Sequence, residues 1–139
     1  MHNPAMSILD AMNEDNQTPL HHAARGGHTS VVEFLLTQGV SIEATDKSAE
    51  TPLHLAVRNG HTNTVVLLLG KGASIQVINT DGSTPLHFAA MKGHTELVEL
   101  LLQEGASIEA VNRSNDTPLH YAAQNGHTGV VEQIGRAHV

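Results

Sequence analysis

The chain has 139 residues and a net charge of −7, from 7 basic and 14 acidic side chains. This acidic balance would repel the phosphates of a nucleic acid and the surface of an anionic membrane, so we expect neither as a partner. The absence of cysteine excludes a disulfide, a thiolate metal site and a cysteine nucleophile. No apolar stretch approaches the roughly 20 residues of a membrane helix, and we expect an intracellular, cytoplasmic protein.

The first 17 residues precede a sequence that repeats, and we interpret residues 1–17 as the hairpin half of a partial repeat. The tetrapeptide Thr-Pro-Leu-His then begins at residues 18, 51, 84 and 117, always 33 residues apart. The dipeptide Gly-His follows with the same spacing, starting at Gly27. A fixed period of this kind predicts a stack of similar units.

Each 33-residue repeat is predicted to contain two short helices. Thr18 can cap a first helix whose first residue is a proline, where the missing N–H costs nothing. The glycine pair that ends at Gly27 stops this helix. The second helix places Val31 and Leu35 on one stripe. Neighbouring apolar residues widen this stripe to a face that can pack against both adjacent repeats.

Polar segments join the repeats and are predicted to form hairpin loops with positive φ at Asn16, Gly82 and Asn115. Ala49 stands at the equivalent position before the second repeat. Because alanine pays a steric cost for positive φ, we expect this loop to be looser or differently turned.

The second helix of the second repeat is predicted to be the weakest element. Thr64 replaces an apolar residue there, and Gly70 lies in the last turn. Each change lowers helix or packing stability by ~0.5–1 kcal/mol. We therefore expect local mobility in this helix.

These motifs together resemble the ankyrin repeat family. The resemblance rests on Thr-Pro-Leu-His-x-Ala-Ala, Gly-His, Val-Val-Glu-x-Leu-Leu and Gly-Ala-x-Ile, and it covers residues 18–133. It implies an all-α repeat fold, an α-solenoid of stacked antiparallel helix pairs joined by β-hairpin-like loops. The predicted repeats are residues 18–50, 51–83, 84–116 and a truncated 117–133. Residues 134–139 look like the translation of a sequencing adapter and are predicted to be a non-native tail.

The eleven histidines invite a metal or catalytic interpretation. Eight of them occupy repeated positions, and the resemblance implies that the motif histidines bond to the capping threonine and a neighbouring turn. Equivalent residues of stacked helices lie ~8–10 Å apart, too far to share one zinc ion. We predict no enzyme activity and no cofactor, and a histidine metal site is the least favoured alternative.

The resemblance implies a protein–protein interaction module that binds a partner protein through its concave groove and hairpin tips. A structural spacer within a larger multidomain protein is the alternative. The first choices are arginine and aromatic side chains, which often dominate interface energies, although the aromatic position is also suited to core packing. The candidate residues are Arg25, Lys47, Glu50, Arg58, Asp81, Phe88, Met91, Lys92, Arg113, Tyr121 and Gln124.

Self-association through the uncapped terminal repeats is a further expectation. Leu119 and Val130 are predicted to expose apolar surface that a following repeat would bury.

Overall fold

The computed structural model describes residues 8–138, which form two compact units, divided between Ser74 and Ile75. All regular structure in residues 19–137 is helical, and no strand occurs among the described residues. The helices of the first unit are α1 (Pro19–Arg25), α2 (Thr29–Thr37), α3 (Pro52–Arg58) and α4 (Thr62–Gly70). Those of the second are α5 (Pro85–Lys92), α6 (Thr95–Gln103), α7 (Pro118–Gln124) and α8 (Thr128–Ala137). The predicted all-α repeat fold is confirmed.

The Thr-Pro-Leu-His motif begins α1, α3, α5 and α7 in the same way. In α1 the Thr18 hydroxyl accepts the backbone N–H of His21 at 3.3 Å. The Nδ1 atom of His21 in turn accepts the backbone N–H of Thr18 at 3.1 Å. This reciprocal capping box, with proline in the first helical turn, recurs in the other three helices. It satisfies backbone donors that a helix start leaves without partners.

Helix pairs pack in the same order within each unit. In the first unit α1 contacts α2 and α3, and α2 contacts α4. In the second unit α5 contacts α6 and α7, and α6 contacts α8. The interior consists of alanines from the first helices and branched apolar residues from the second, such as Ala24 and Val32, both fully buried. None of the described helices is long and apolar enough to cross a membrane.

Thr64, predicted to weaken α4, has a polar partner within its unit. Its side chain is only 1% exposed, and its hydroxyl lies 2.9 Å from that of Thr29 in α2. A buried hydroxyl is costly only when it lacks such a partner, so Thr64 is a satisfied contact between α2 and α4. The expected mobility of α4 stays a prediction.

The hairpin loops all contain one type of turn. Positive φ occurs at Asn16, Gly82 and Asn115, as predicted. Ala49 also has positive φ, 60°, and the expectation of a different turn before the second repeat is wrong. The reason is Asp46, whose Oδ1 atom accepts the N–H groups of Ser48 and Glu50, both at 2.9 Å. These two hydrogen bonds hold Ala49 in the positive-φ conformation of the equivalent residues in the other hairpins.

The last helix extends beyond the predicted end of the fourth repeat at Gln133. It continues to Ala137, and Ile134 is buried, 2% exposed, at the repeat position of Leu101. That residues 134–139 are non-native stays a prediction, and Val139 lies outside the described residues. So do residues 1–7 of the predicted partial repeat.

Candidate partner-binding surface

Four of the predicted binding residues meet in one cleft of the first unit. Arg25 ends α1, Arg58 ends α3, and Lys47 and Glu50 belong to the hairpin loop between α2 and α3. The cleft has a volume of about 270 Å³. Its remaining lining residues are Asp15, Gln17, Asp46, Ser48 and Leu55.

Glu50 and Arg58 form an ion pair within this cleft. The Glu50 side chain is only 9% exposed, whereas that of Arg58 is 31% exposed. Glu50 therefore offers little surface to a partner, and its role in the cleft is to hold the Arg58 guanidinium in place. Hydrogen bonds between ionised groups fix the orientation of the side chains and also stabilise the pair.

The carboxylate of Asp46 is occupied by local donors. Besides the two backbone bonds to its Oδ1 atom, its Oδ2 atom accepts the side-chain N–H of Gln17 at 3.1 Å. Burial raises the pKa of Asp46, but the hydrogen bonds from Glu50, Gln17 and Ser48 outweigh it and leave the pKa below its usual value. Asp46 is thus an ionised structural residue of the loop.

Arg25 and Lys47 are the cations of the cleft that make no ion pair with any residue between 8 and 138. Arg25 is half-buried, and its Nη1 atom lies 3.3 Å from Nδ1 of His22. Lys47 is exposed at the tip of its hairpin. Their N–H groups are the donors that the cleft can present to a bound molecule.

In the second unit, the predicted residues Asp81 and Arg113 lie on adjacent hairpin tips. The backbone N–H of Arg113 donates to the carbonyl oxygen of Asp81 at 2.9 Å, and both side chains are exposed. Lys47 donates to Asp15 in the same way in the first unit, at 3.0 Å. Each unit therefore presents two hairpin tips joined through their backbones.

The two aromatic candidates are placed differently. Phe88 is buried, 6% exposed, so it has little surface with which to anchor a partner. Tyr121 is half-buried, and its hydroxyl accepts the Nδ2–H of Asn112 at 2.6 Å. Its ring and that of His87 form a T-shaped pair with a centroid distance of 5.5 Å. Tyr121 thus has a structural role and still exposes part of its ring.

The remaining candidates lie at the ends of α5 and α7. Lys92 and Gln124 are exposed, and Met91 is half-buried. The carbonyl oxygen of Met91 accepts the Nε2–H of His127 at 2.9 Å. These residues do not join the cleft of the first unit.

Two of the motif histidines bond to the backbone of a neighbouring turn, as the resemblance implied. The Nε2 atoms of His21 and His87 bond to the carbonyl oxygens of Glu50 and Asp116, at 2.9 and 2.8 Å. Burial lowers the pKa of both imidazoles. Among residues 8–138 no group of three or more His, Cys, Asp or Glu side chains could hold a metal ion.

The residues that hold the hairpins were not among the predicted functional residues. An Asn or Asp starts each turn and accepts two backbone N–H groups, as Asn79 does from Asp81 and Ser83, both at 3.0 Å. The signal was present, since Asn or Asp recurs every 33 residues at these positions. The four residues are Asn13, Asp46, Asn79 and Asn112.

One of the two predicted terminal apolar residues is exposed. Leu119 is 38% exposed and lines an apolar groove of about 340 Å³. The expectation for Val130 is wrong, because it is fully buried. Its helix packs against α6, and Gln133 on the same face donates to the carbonyl oxygen of Thr95 at 3.1 Å.

A comparison with protein families supports the same classification. A family model described as ankyrin repeats in three copies matches residues 3–79 and 63–136. The comparison with curated proteins returned no match. The capping boxes, paired helices and hairpin turns agree with the family match, and the chain belongs to the ankyrin repeat family.

Proposed function

We propose that this chain is a protein-binding module that holds a partner through its hairpin tips and the ends of its first helices. Ankyrin repeats generally act as protein-interaction modules. The observation that favours this surface is the cleft of the first unit, where Arg25, Lys47 and Arg58 come together beside exposed hairpin tips. Arginine is among the residues that most often contribute strongly to protein interfaces.

Variation between the repeats supports the same surface. Capping threonines, histidines and turn residues recur because the fold needs them, whereas one position in the last turn of the first helices varies. Arg25, Arg58, Met91 and Gln124 occupy equivalent positions in four successive repeats. Positions that the fold leaves free can carry specificity for a partner, and a spacer would not require this cluster of charge.

Two secondary proposals accompany this function. We place the protein in the cytoplasm, because ankyrin repeat proteins often work inside cells. We also propose that the exposed Leu119 promotes self-association. Sedimentation velocity over a range of concentrations tests this proposal, since Leu119→Ser should reduce any association that the unaltered chain shows.

Partner capture with matched variants tests the main proposal. The immobilised chain is compared with a tip variant carrying Arg25→Ala, Lys47→Ala, Asp81→Ala and Arg113→Ala. A control carries Glu33→Ala and Glu99→Ala, at exposed positions of α2 and α6. Captured proteins are identified by mass spectrometry, and circular dichroism checks that every variant is folded.

The expected result is that the tip variant loses specific partners and the control keeps them. If both variants retain the same partners, or if the unaltered chain captures none, the proposed surface is wrong. Silent tip substitutions would instead favour the spacer alternative.

A further inference from the structure

We propose that the cleft of the first unit recognises an acidic side chain of the partner, with Arg25 as its main donor and Lys47 as the second. This inference rests on the proposed function and specifies the chemistry that the partner presents. It derives from the hydrogen-bonding groups left available in the cleft.

The acceptors of the cleft are largely in use. Asp46 accepts three hydrogen bonds from its own and the preceding hairpin. Glu50 is buried and paired with Arg58. The carboxylate that remains exposed in the cleft is that of Asp15.

The donors of the cleft are available in excess. The guanidinium of Arg25 has five N–H groups, and its hydrogen-bond contact within the described part of the chain is with Nδ1 of His22. Lys47 contributes an exposed ammonium with three more donors. The complementary ligand is therefore an acceptor, and a carboxylate can take two parallel bonds from one guanidinium.

The charge of the cleft favours a singly charged carboxylate over a phosphate. Three basic side chains and three acidic side chains line it, so its formal charge is zero. The recognition depends on local hydrogen bonds, because no net positive charge attracts a doubly charged group. The volume of about 270 Å³ lies just below the ~300–1,000 Å³ of small-molecule pockets and suits a single side chain.

The second unit provides an internal comparison. Two repeats further along the chain, Met91 stands at the position of Arg25 and Gln124 at that of Arg58. Arg113 replaces Lys47, so a basic hairpin tip is retained without a guanidinium at the helix end. We accordingly assign recognition of the acidic side chain to the first unit alone.

NMR titration of the full ¹⁵N-labelled chain tests this assignment. The probes are acetyl-Ala-Ala-Glu-Ala-Ala-amide, the same peptide with Gln, and the same peptide with phosphoserine. The Glu peptide should bind in the millimolar range. It should shift the side-chain signal of Arg25 and the backbone signals of residues 46–48. The Gln peptide should bind about fivefold more weakly, as expected for the loss of one exposed ion pair. The phosphoserine peptide should also bind more weakly than the Glu peptide, because the cleft has no net positive charge for a doubly charged group.

Two variants complete the test. Arg25→Met, which introduces the residue found in the second unit, should weaken Glu-peptide binding about fivefold. Lys71→Gln removes an exposed cation that follows α4, outside the cleft and outside the candidate residues, and should leave this binding unchanged. Equal binding of the Glu and Gln peptides, tighter binding of the phosphoserine peptide, no shifts with any peptide, or full affinity in Arg25→Met would each overturn the inference.

Failure here is distinguishable from failure of the proposed function. If Arg25→Met retains every captured partner and the tip variant loses them, the chain is still a binding module and only the acidic ligand is wrong. If the tip variant also retains every partner, the binding surface itself is wrong.

Discussion

The Nε2 atom of His21 donates a hydrogen bond to the carbonyl oxygen of Glu50, 2.9 Å away, and so joins α1 to the hairpin that leads into the next repeat. The direction of this bond follows from the other ring nitrogen. Since Nδ1 accepts the N–H of Thr18, the proton of the neutral ring lies on Nε2. One buried side chain therefore caps its own helix and fixes the spacing of two repeats.

We predict that His21→Gln destabilises the protein by ~0.5–1.5 kcal/mol, the net contribution of one hydrogen bond. Glutamine at this position can still complete a capping box with Thr18. Its amide cannot at the same time reach the carbonyl oxygen of Glu50, which then keeps the backbone N–H of Asp46 as its donor but loses the bond from residue 21. Urea unfolding at pH 7.5 measures the change.

The matched control is His120→Gln in α7. His120 makes the same bonds to its capping threonine, but its side chain is exposed. We expect a smaller loss of stability than for His21→Gln. An equal loss in both variants would show that the link to Glu50 contributes nothing beyond the cap.

We also predict that the folded state loses stability as the pH falls below 6.5. Burial lowers the pKa of His21 and His87 from the ordinary value of 6.5. The unfolded chain therefore binds more protons than the folded chain between the lowered values and 6.5. The contribution of these two histidines to the free energy of unfolding is fully present above pH 6.5 and decreases as the pH falls through that window. Urea midpoints at pH 7.5, 6.5 and 5.5 provide the measurement.

The double variant His21→Gln, His87→Gln isolates the contribution of these two rings. Its midpoint should be lower at pH 7.5, but it should change less between pH 7.5 and 5.5 than that of the unaltered chain. An unchanged pH dependence would assign the effect to other titrating groups.

The sequence could predict the features that local chemistry determines. Thr18 and its equivalents cap helices through neighbours three residues away, so the motif alone identifies the helix starts. Positive φ at Asn16, Gly82 and Asn115 was predictable because few residue types adopt it. The turn-holding role of Asp46 and its equivalents is equally local, and their recurrence every 33 residues is the signal for it.

The candidate site was less predictable because it depends on packing between repeats. The sequence does not show that Glu50 is buried against Arg58, or that Phe88 is more buried than Tyr121. Val130 was assigned to the wrong surface for the same reason, since a helical pattern alone does not say which apolar stripe meets the preceding helix. The distances between distant side chains require the folded chain.

We predict that Ala49→Gly stabilises the protein by ~0.5–1 kcal/mol. The left-handed conformation costs a residue with a Cβ ~1–2 kcal/mol, and glycine removes that cost at φ 60°. The added freedom of the unfolded chain offsets ~0.4–1 kcal/mol of the gain. Ala110→Gly is the control, because Ala110 has no positive φ and should lose stability on the same change. A loss in both variants would mean that the turn imposes no strain on Ala49.

The last prediction concerns three glycines that should respond differently to alanine. Gly70 lies in α4 with no atom within 4 Å of an added Cβ, so Gly70→Ala should stabilise the protein by ~0.5–1 kcal/mol. Gly105 is equally open but has φ of +94°, so Gly105→Ala should cost ~1–2 kcal/mol of backbone strain.

Gly27→Ala should be the most harmful of the three. Gly27 has φ of +70°, and an added Cβ would lie 2.5 Å from Nδ1 of His61. The imidazole cannot move away freely, because its Nε2 atom donates to the carbonyl oxygen of Arg25 at 2.8 Å. The variant therefore combines backbone strain with the loss of a bond between α1 and the start of α4. Thermal unfolding should rank the variants Gly70→Ala, Gly105→Ala, Gly27→Ala from most to least stable, and equal melting of the last two would show that His61 yields without cost.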